Sequence, residues 1–106
     1  MEGPLDLNTH LVRHPAATFY LRVAGDSMSP AVQPGALLVV DHALEPADGS
    51  IVVAVVDAEL TLKRLRLSGG RVLLAADNGG YPPIRIAGDA RLEIWGVVVA
   101  AINIFV

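Results

Sequence analysis

Apolar residues in this chain come in short bursts, and a turn signal cuts each burst before a helix-length stretch can build up. The bursts run from Thr18 to Val23, Ala36 to Val40, Ser50 to Val56, Leu60 to Leu67, Arg71 to Ala76, Ile84 to Ile86 and Arg91 to Ala101, with Asn103 to Val106 as a continuation of the last. Between them stand Ala24-Gly25, Pro34-Gly35, Glu45-Pro46-Ala47-Asp48-Gly49, Asp57-Ala58-Glu59, Ser68-Gly69-Gly70, Asp77 to Pro83 and Ala87-Gly88-Asp89-Ala90. Short strands at regular spacing with Gly and Pro turns predict an all-β fold. Ala36–Val40 and Ile51–Val56 are apolar at every position, so both of their faces need cover. That points to a curled, barrel-like sheet of short antiparallel strands. Gly96 inside the last strand predicts a bend there. Ser29-Pro30 opens one short helical turn running through Gln33, with Pro30 at its first position.

Residues 1–8 read as a short N-terminal arm and 9–106 as one β domain. Leu5 to Leu11 fits a strand start or a single helical turn, and His14-Pro15 ends it, because a residue before proline is pushed away from helix. A length of 106 residues makes one domain that can bury a real core unaided. There are no cysteines, which removes disulfides, thiolate nucleophiles and thiolate zinc sites. A net charge of −3 and 5% aromatic residues argue against autonomous nucleic-acid binding, which needs a basic face or a stacking platform. No apolar run approaches the about 20 residues that span a bilayer, and the N-terminus has no secretory signal pattern. No membrane association is expected, and the expected location is the cytoplasm.

Two residues carry the chemistry. Ser27 follows the strand-ending Ala24-Gly25-Asp26. A serine on a tight turn after a strand can stand exposed with backbone N–H groups beside it, which suits a nucleophile and an oxyanion hole. The plainer alternative is a polar turn in which Asp26 or Ser27 caps a short helix. Lys63 lies in Leu60 to Leu67. Counted at strand period it shares a face with Leu65 and Leu67, while Arg64 and Arg66 take the solvent face. A lysine on a core-leaning face loses hydration, its pKa falls, and the neutral amine becomes a base. The alternative is a lysine that snorkels along the sheet to water. On the residues alone both pairs of readings stand open. His10, His14 and His42 share no close spacing, Asp41-His42 reads as a solvated turn, and Asp77-Asn78-Gly79-Gly80 lacks calcium-loop spacing. No metal and no cofactor are expected.

The arrangement of these motifs resembles a known family. Gly25-Asp26-Ser27-Met28-x-Pro30, Gly35-Ala36-Leu37-Leu38-Val39-Val40-Asp41, Asp48-Gly49-Ser50-Ile51-Val52-Val53 and Leu62-Lys63-Arg64-Leu65 occur in that order. They resemble the S24 peptidases, the family of LexA, phage repressors and the UmuD mutagenesis proteins. The UmuD branch is nearest, through Asp6-Leu7-Asn8, His14-Pro15-Ala16-Ala17-Thr18-Phe19-Tyr20, Ala54 to Glu59, Asn78-x-x-Tyr81-Pro82-Pro83-Ile84 and Glu93 to Val98. The likeness covers nearly the whole chain from Asp6.

The resemblance implies a fold like the LexA C-terminal and signal-peptidase domains. It implies Ser27 as nucleophile, Lys63 as general base, and the backbone N–H groups of Ser27 and Asp26 as the oxyanion hole. The family reaction is self-cleavage of an N-terminal arm at an Ala-Gly or Cys-Gly bond, stimulated by the RecA filament on single-stranded DNA in the SOS response. The processed UmuD form is a homodimer that joins a UmuC-type, Y-family polymerase for translesion synthesis. Gly35-Ala36 stands where the family usually has Gly-Asp, which removes a turn carboxylate and no catalytic group. Only Met1 to Leu5 precede the resemblance, so the chain is expected to match the processed form, with little or no substrate in cis. Ala24-Gly25 and Ala87-Gly88 read as turns. The apolar run Trp95 to Val106, taken as an exposed edge, is the expected dimer surface. Beside the polymerase-subunit reading stand the self-cleavage domain of a LexA-like repressor and a processing peptidase acting in trans.

Overall fold

The computed structural model describes residues 2–88 and 91–106. Seven strands form one antiparallel sheet: β1 (Thr18–Arg22), β2 (Leu37–Asp41), β3 (Ile51–Val56), β4 (Glu59–Ser68), β5 (Arg71–Ala75), β6 (Ile84–Ile86) and β7 (Leu92–Ile102). Their spatial order is β1-β2-β7-β3-β4-β5-β6. One short helix, α1 (Leu7–Leu11), straddles the position where the arm was expected to meet the domain, and a 3-10 turn covers Pro15–Ala17. Asp6 caps α1: its carboxylate accepts from the Asn8 N–H at 3.0 Å and the Thr9 hydroxyl at 3.2 Å. Among the described residues no helix is long and apolar enough to cross a membrane.

The doubly apolar runs do cover two faces. Along β3, Ile51 and Val53 pack into a cluster with Met28, Val32, Ala36, Leu38 and Val40. Val52, Ala54 and Val56 point the other way, into a cluster with Leu65 and Leu74. The period-2 alternation of a strand divides one apolar run between two cores. The β3–β4 hairpin closes through Asp57 (φ 47°) and Ala58 (φ 69°), with Val56 paired to Glu59. Positive φ at both central residues is the mirror-image turn whose twist matches the flanking strands, reached here without a glycine.

The bend expected at Gly96 is a β-bulge. Val53 pairs with Gly96, but Ala54 pairs with Ile94, which leaves Trp95 as the extra residue. A second bulge at Val99 lies opposite Val39 and Val40. Bulges raise local twist and so curl the sheet. Gly96 itself sits against β2: a Cβ there would lie 2.6 Å from Val40 Cγ1 and 3.1 Å from the Asp41 carbonyl oxygen.

The short helical turn expected after Ser27 is present as a single helical hydrogen bond, Val32 N–H to the Met28 carbonyl at 2.9 Å, and it closes at Val32 instead of running through Gln33. Pro30 and Pro34-Gly35 leave too few residues between them for a helix to propagate. Residues 103–106 leave the sheet instead of extending β7. β7 is also not an edge, since it pairs with β2 and β3 on its two sides. The turn expected at Ala87–Ala90 lies partly outside the described residues.

Candidate active site

Ser27 and Lys63 come from strands that are far apart in the sheet: β1 leads into the Ser27 turn, and β2, β7 and β3 separate it from β4. Gly25, at φ 79°, turns the chain sharply out of β1. Met28 and Val32 then plug the first core at 1% and 2% exposure. Burying these two side chains anchors the segment and leaves Ser27 at the rim. On β4, Lys63 pairs with Val52 of β3 and shares the buried side of the strand with Leu65. β5 pairs with β4 only from Arg64 onward, so the edge of Glu59–Lys63 away from β3 is open to the Ser27 turn.

The Lys63 Nζ lies 3.1 Å from Ser27 Oγ and 3.2 Å from the Leu62 carbonyl oxygen. Lys63 is 8% exposed. Loss of hydration therefore holds its pKa below the ordinary lysine range. In the ammonium form Nζ donates to both oxygens. As the neutral amine it is within hydrogen-bond distance to accept the Ser27 hydroxyl proton. Val23 to Met28, Leu60 to Lys63 and Tyr81 line a cleft of about 220 Å³ around the pair. An apolar hollow adjoins it, walled by Leu21, Val23, Leu38, Val53 and Leu60 to Leu62. A slightly larger hollow of about 260 Å³, between Gln33–Ala36 and Asn103–Phe105, contains neither a nucleophile nor a base.

The sequence reading missed the residues that hold the Ser27 turn. Asn78 donates its backbone N–H to the Ser27 carbonyl at 3.0 Å and its Nδ2 to the Asp26 carbonyl at 3.1 Å. The Tyr81 hydroxyl donates to the Asp26 carboxylate at 2.5 Å. That bond to an anion holds the Tyr81 pKa above the ordinary phenol value. The Tyr81 ring stands 5.9 Å from the Lys63 Nζ, within cation–π reach. Asp77, the residue before Asn78, takes a two-pronged hydrogen bond from Arg64, Nε to Oδ1 at 2.9 Å and Nη2 to Oδ2 at 2.7 Å. Arg64 also reaches the Gly49 carbonyl at 2.8 Å. The pairing lowers the Asp77 pKa and raises that of Arg64. Arg64 is therefore not a solvent-face residue like Arg66. The β4–β5 register, which pairs Arg64 with Ala75 at the end of β5, brings Asp77 next to it.

The histidines lie elsewhere. His14 Nδ1 is 2.6 Å from Asp41 Oδ2, and His42 Nδ1 is 2.5 Å from the Trp95 carbonyl oxygen. Asp41 is 2% exposed, so Asp41-His42 is not a solvated turn. Burial alone would raise the Asp41 pKa, but the His14 hydrogen bond and the Ala43 and Leu44 N–H groups outweigh it and hold it low. Among the described residues no three His, Asp or Glu side chains converge as a metal site would need.

Comparison with known proteins fits this geometry. A family model described as Peptidase S24-like matches residues 1–99. Protein SamA of Salmonella typhimurium is 45% identical over 103 residues, covering 96% of this chain and 71% of that one. Protein MucA of Escherichia coli is 46% identical over 96 residues, 89% of this chain and 65% of that one. The LexA repressor of Shewanella baltica is 43% identical over 92 residues, 85% of this chain and 45% of that one.

Proposed function

The chain belongs to the Peptidase S24-like family, and from that membership we propose that it is a UmuD-like SOS mutagenesis protein: a homodimeric accessory subunit of a UmuC-type translesion polymerase that carries a Ser–Lys peptidase site. The observation that carries the peptidase part is the 3.1 Å approach of a buried Lys63 amine to Ser27 Oγ. The likeness to SamA and MucA supports the mutagenesis part.

In the proposed reaction, neutral Lys63 accepts the Ser27 hydroxyl proton as Oγ attacks the carbonyl of an Ala-Gly or Cys-Gly bond in an N-terminal arm. The carbonyl oxygen becomes an oxyanion, and the Ser27 and Asp26 N–H groups stabilise it. Among the described residues, neither N–H donates a hydrogen bond within the protein. The Lys63 ammonium then returns the proton to the leaving amine, and an acyl-Ser27 ester remains. Water, deprotonated by Lys63, hydrolyses that ester and frees Ser27. The apolar hollow beside the cleft suits the small side chain before the scissile bond.

RecA filament on single-stranded DNA is the proposed stimulus of cleavage. The exposed Ile104-Phe105 tail, with Phe105 at 90% exposure, is a candidate dimer contact. A second reading, the self-cleavage domain of a LexA-like repressor, draws support from the LexA relative, which this chain covers over less than half of its length.

A single mixing experiment tests the proposal. The chain is combined with a Ser27→Ala copy extended at its N-terminus by an Ala-Gly arm, and separately with a UmuC-type polymerase. The polymerase is expected to be retained by the wild type and by Ser27→Ala alike, while the arm is cut only by the wild type. Cleavage without polymerase binding would favour the repressor-domain reading.

A further inference from the structure

We infer that Asn78 is a positioning residue for acyl transfer: it fixes both peptide planes that flank Ser27, and the Arg64–Asp77 pair ties it to the strand that carries Lys63. The inference rests on the peptidase reading above and adds to it a residue that never touches the substrate.

Three residues supply every hydrogen bond that ties Asp26 or Ser27 to another element among the described residues: Lys63, Asn78 and Tyr81. Tyr81 grips only the Asp26 carboxylate. Asn78 grips the backbone on both sides of the Ser27 Cα. Its Nδ2 holds the Asp26 carbonyl, which the Ser29 N–H also reaches at 3.1 Å, and its own N–H holds the Ser27 carbonyl.

A trans peptide is planar, with C=O and N–H on opposite sides. Holding the Asp26 carbonyl therefore turns the Ser27 N–H, a proposed oxyanion donor, away from Asn78. Holding the next carbonyl as well limits rotation about the two Ser27 backbone bonds, and these set where Oγ points.

Asn78 is itself braced. Its Oδ1 accepts from the Gly80 N–H at 2.9 Å, and its carbonyl accepts from the Tyr81 N–H at 3.1 Å. The amide thus has its oxygen facing a donor and its nitrogen facing an acceptor, so its orientation is determined by its partners. The preceding residue, Asp77, is clamped by Arg64, the immediate neighbour of Lys63. The path Lys63-Arg64 to Asp77-Asn78 to Ser27 alternates covalent bonds with paired hydrogen bonds. It spans the gap between β4 and a turn that the sheet itself separates from it by three intervening strands.

The test is the rate at which a fluorophosphonate labels Ser27, followed by mass spectrometry across a pH series. The wild type is compared with Asn78→Asp, Asn78→Ala and Lys63→Ala. Asn78→Asp keeps an oxygen for the Gly80 N–H and loses the donor to the Asp26 carbonyl. Its added charge shifts the Lys63 titration, so rates are compared on the alkaline plateau, where Lys63 is neutral in both chains. Small misplacements of a reacting group cost up to about a hundredfold, so plateau labelling is expected to fall at least about tenfold in both Asn78 variants. Melting curves check that they remain folded, and Asn78→Ala serves should Asn78→Asp not fold. A role confined to shaping the loop predicts an unchanged plateau in Asn78→Asp, and that result overturns the inference while leaving the dyad intact. A wild type that fails to label at any pH, or a Lys63→Ala chain that labels as fast, overturns the peptidase reading and this inference with it.

Discussion

Lys63→Ala is expected to reduce cleavage of an arm-bearing Ser27→Ala substrate chain by at least about a thousandfold, since an unassisted serine hydroxyl is a weak nucleophile at neutral pH. Among the described residues no other base lines the cleft free of a partner. His14 is engaged by Asp41, His42 by the Trp95 carbonyl, and the Asp26 carboxylate by the Tyr81 hydroxyl. Ser27→Ala in the enzyme chain is expected to show a loss of the same order, because both residues serve one step and their effects do not add. Lys63→Met is the informative companion. It matches the length of the side chain and removes the amine. A lysine whose folded pKa is lowered weakens the fold at every pH below its unfolded value. That penalty is full below the folded pKa and is relieved as pH rises toward the unfolded value. At neutral pH, Lys63→Met is therefore expected to melt at a higher temperature than the wild type and to cleave nothing. Retention of cleavage within tenfold in Lys63→Ala would remove the lysine from the mechanism.

Gly96→Ala is expected to lower stability by about 1–3 kcal/mol, the usual cost of forcing extra volume into a packed site. The added methyl would stand 2.6 Å from Val40 Cγ1 and 3.1 Å from the Asp41 carbonyl oxygen. Val40 is fully buried and cannot swing aside, and the carbonyl belongs to a β2 residue paired with β7. Each kcal/mol corresponds to about 4–8 °C in Tm for a domain near this size, so calorimetry should show a fall of several degrees or more. A Tm within one degree of the wild type would mean that β7 and β2 are not as close at this point as described. Because Gly96 lies beside the Trp95 bulge, the same variant is also expected to broaden the melting transition.

Much of this architecture could be read from the residues because it is local. Turn signals placed all seven strands, and the unbroken apolar run Ile51–Val56 anticipated a sheet buried on two sides. Alternation along β4 put Lys63 with Leu65 on the buried side. It failed at Leu67, which is 41% exposed, because the last residues of that strand outrun the core. What remained hidden is non-local. Nothing in the linear order shows that β7 inserts between β2 and β3, so an interior strand was taken for an edge. The same holds for Arg64. Its charge and strand phase gave it to solvent, and only the β4–β5 register brings it to Asp77. Asn78 looked like any loop asparagine until the fold laid that loop against the Ser27 turn. The motif pair Ser27 and Lys63 was legible through resemblance, whereas the hydrogen bonds that link their segments through Arg64, Asp77 and Asn78 were not.

The pH dependence of trans cleavage tests the central claim most directly. Rates are measured with saturating arm-bearing Ser27→Ala substrate from neutral to strongly alkaline pH, with circular dichroism at each point to verify folding. A desolvated lysine acting as base predicts a rate that rises as one proton is lost and levels off below the range in which free lysine titrates. A rate that is flat across the series, or that keeps climbing through the ordinary lysine range without a plateau, contradicts it.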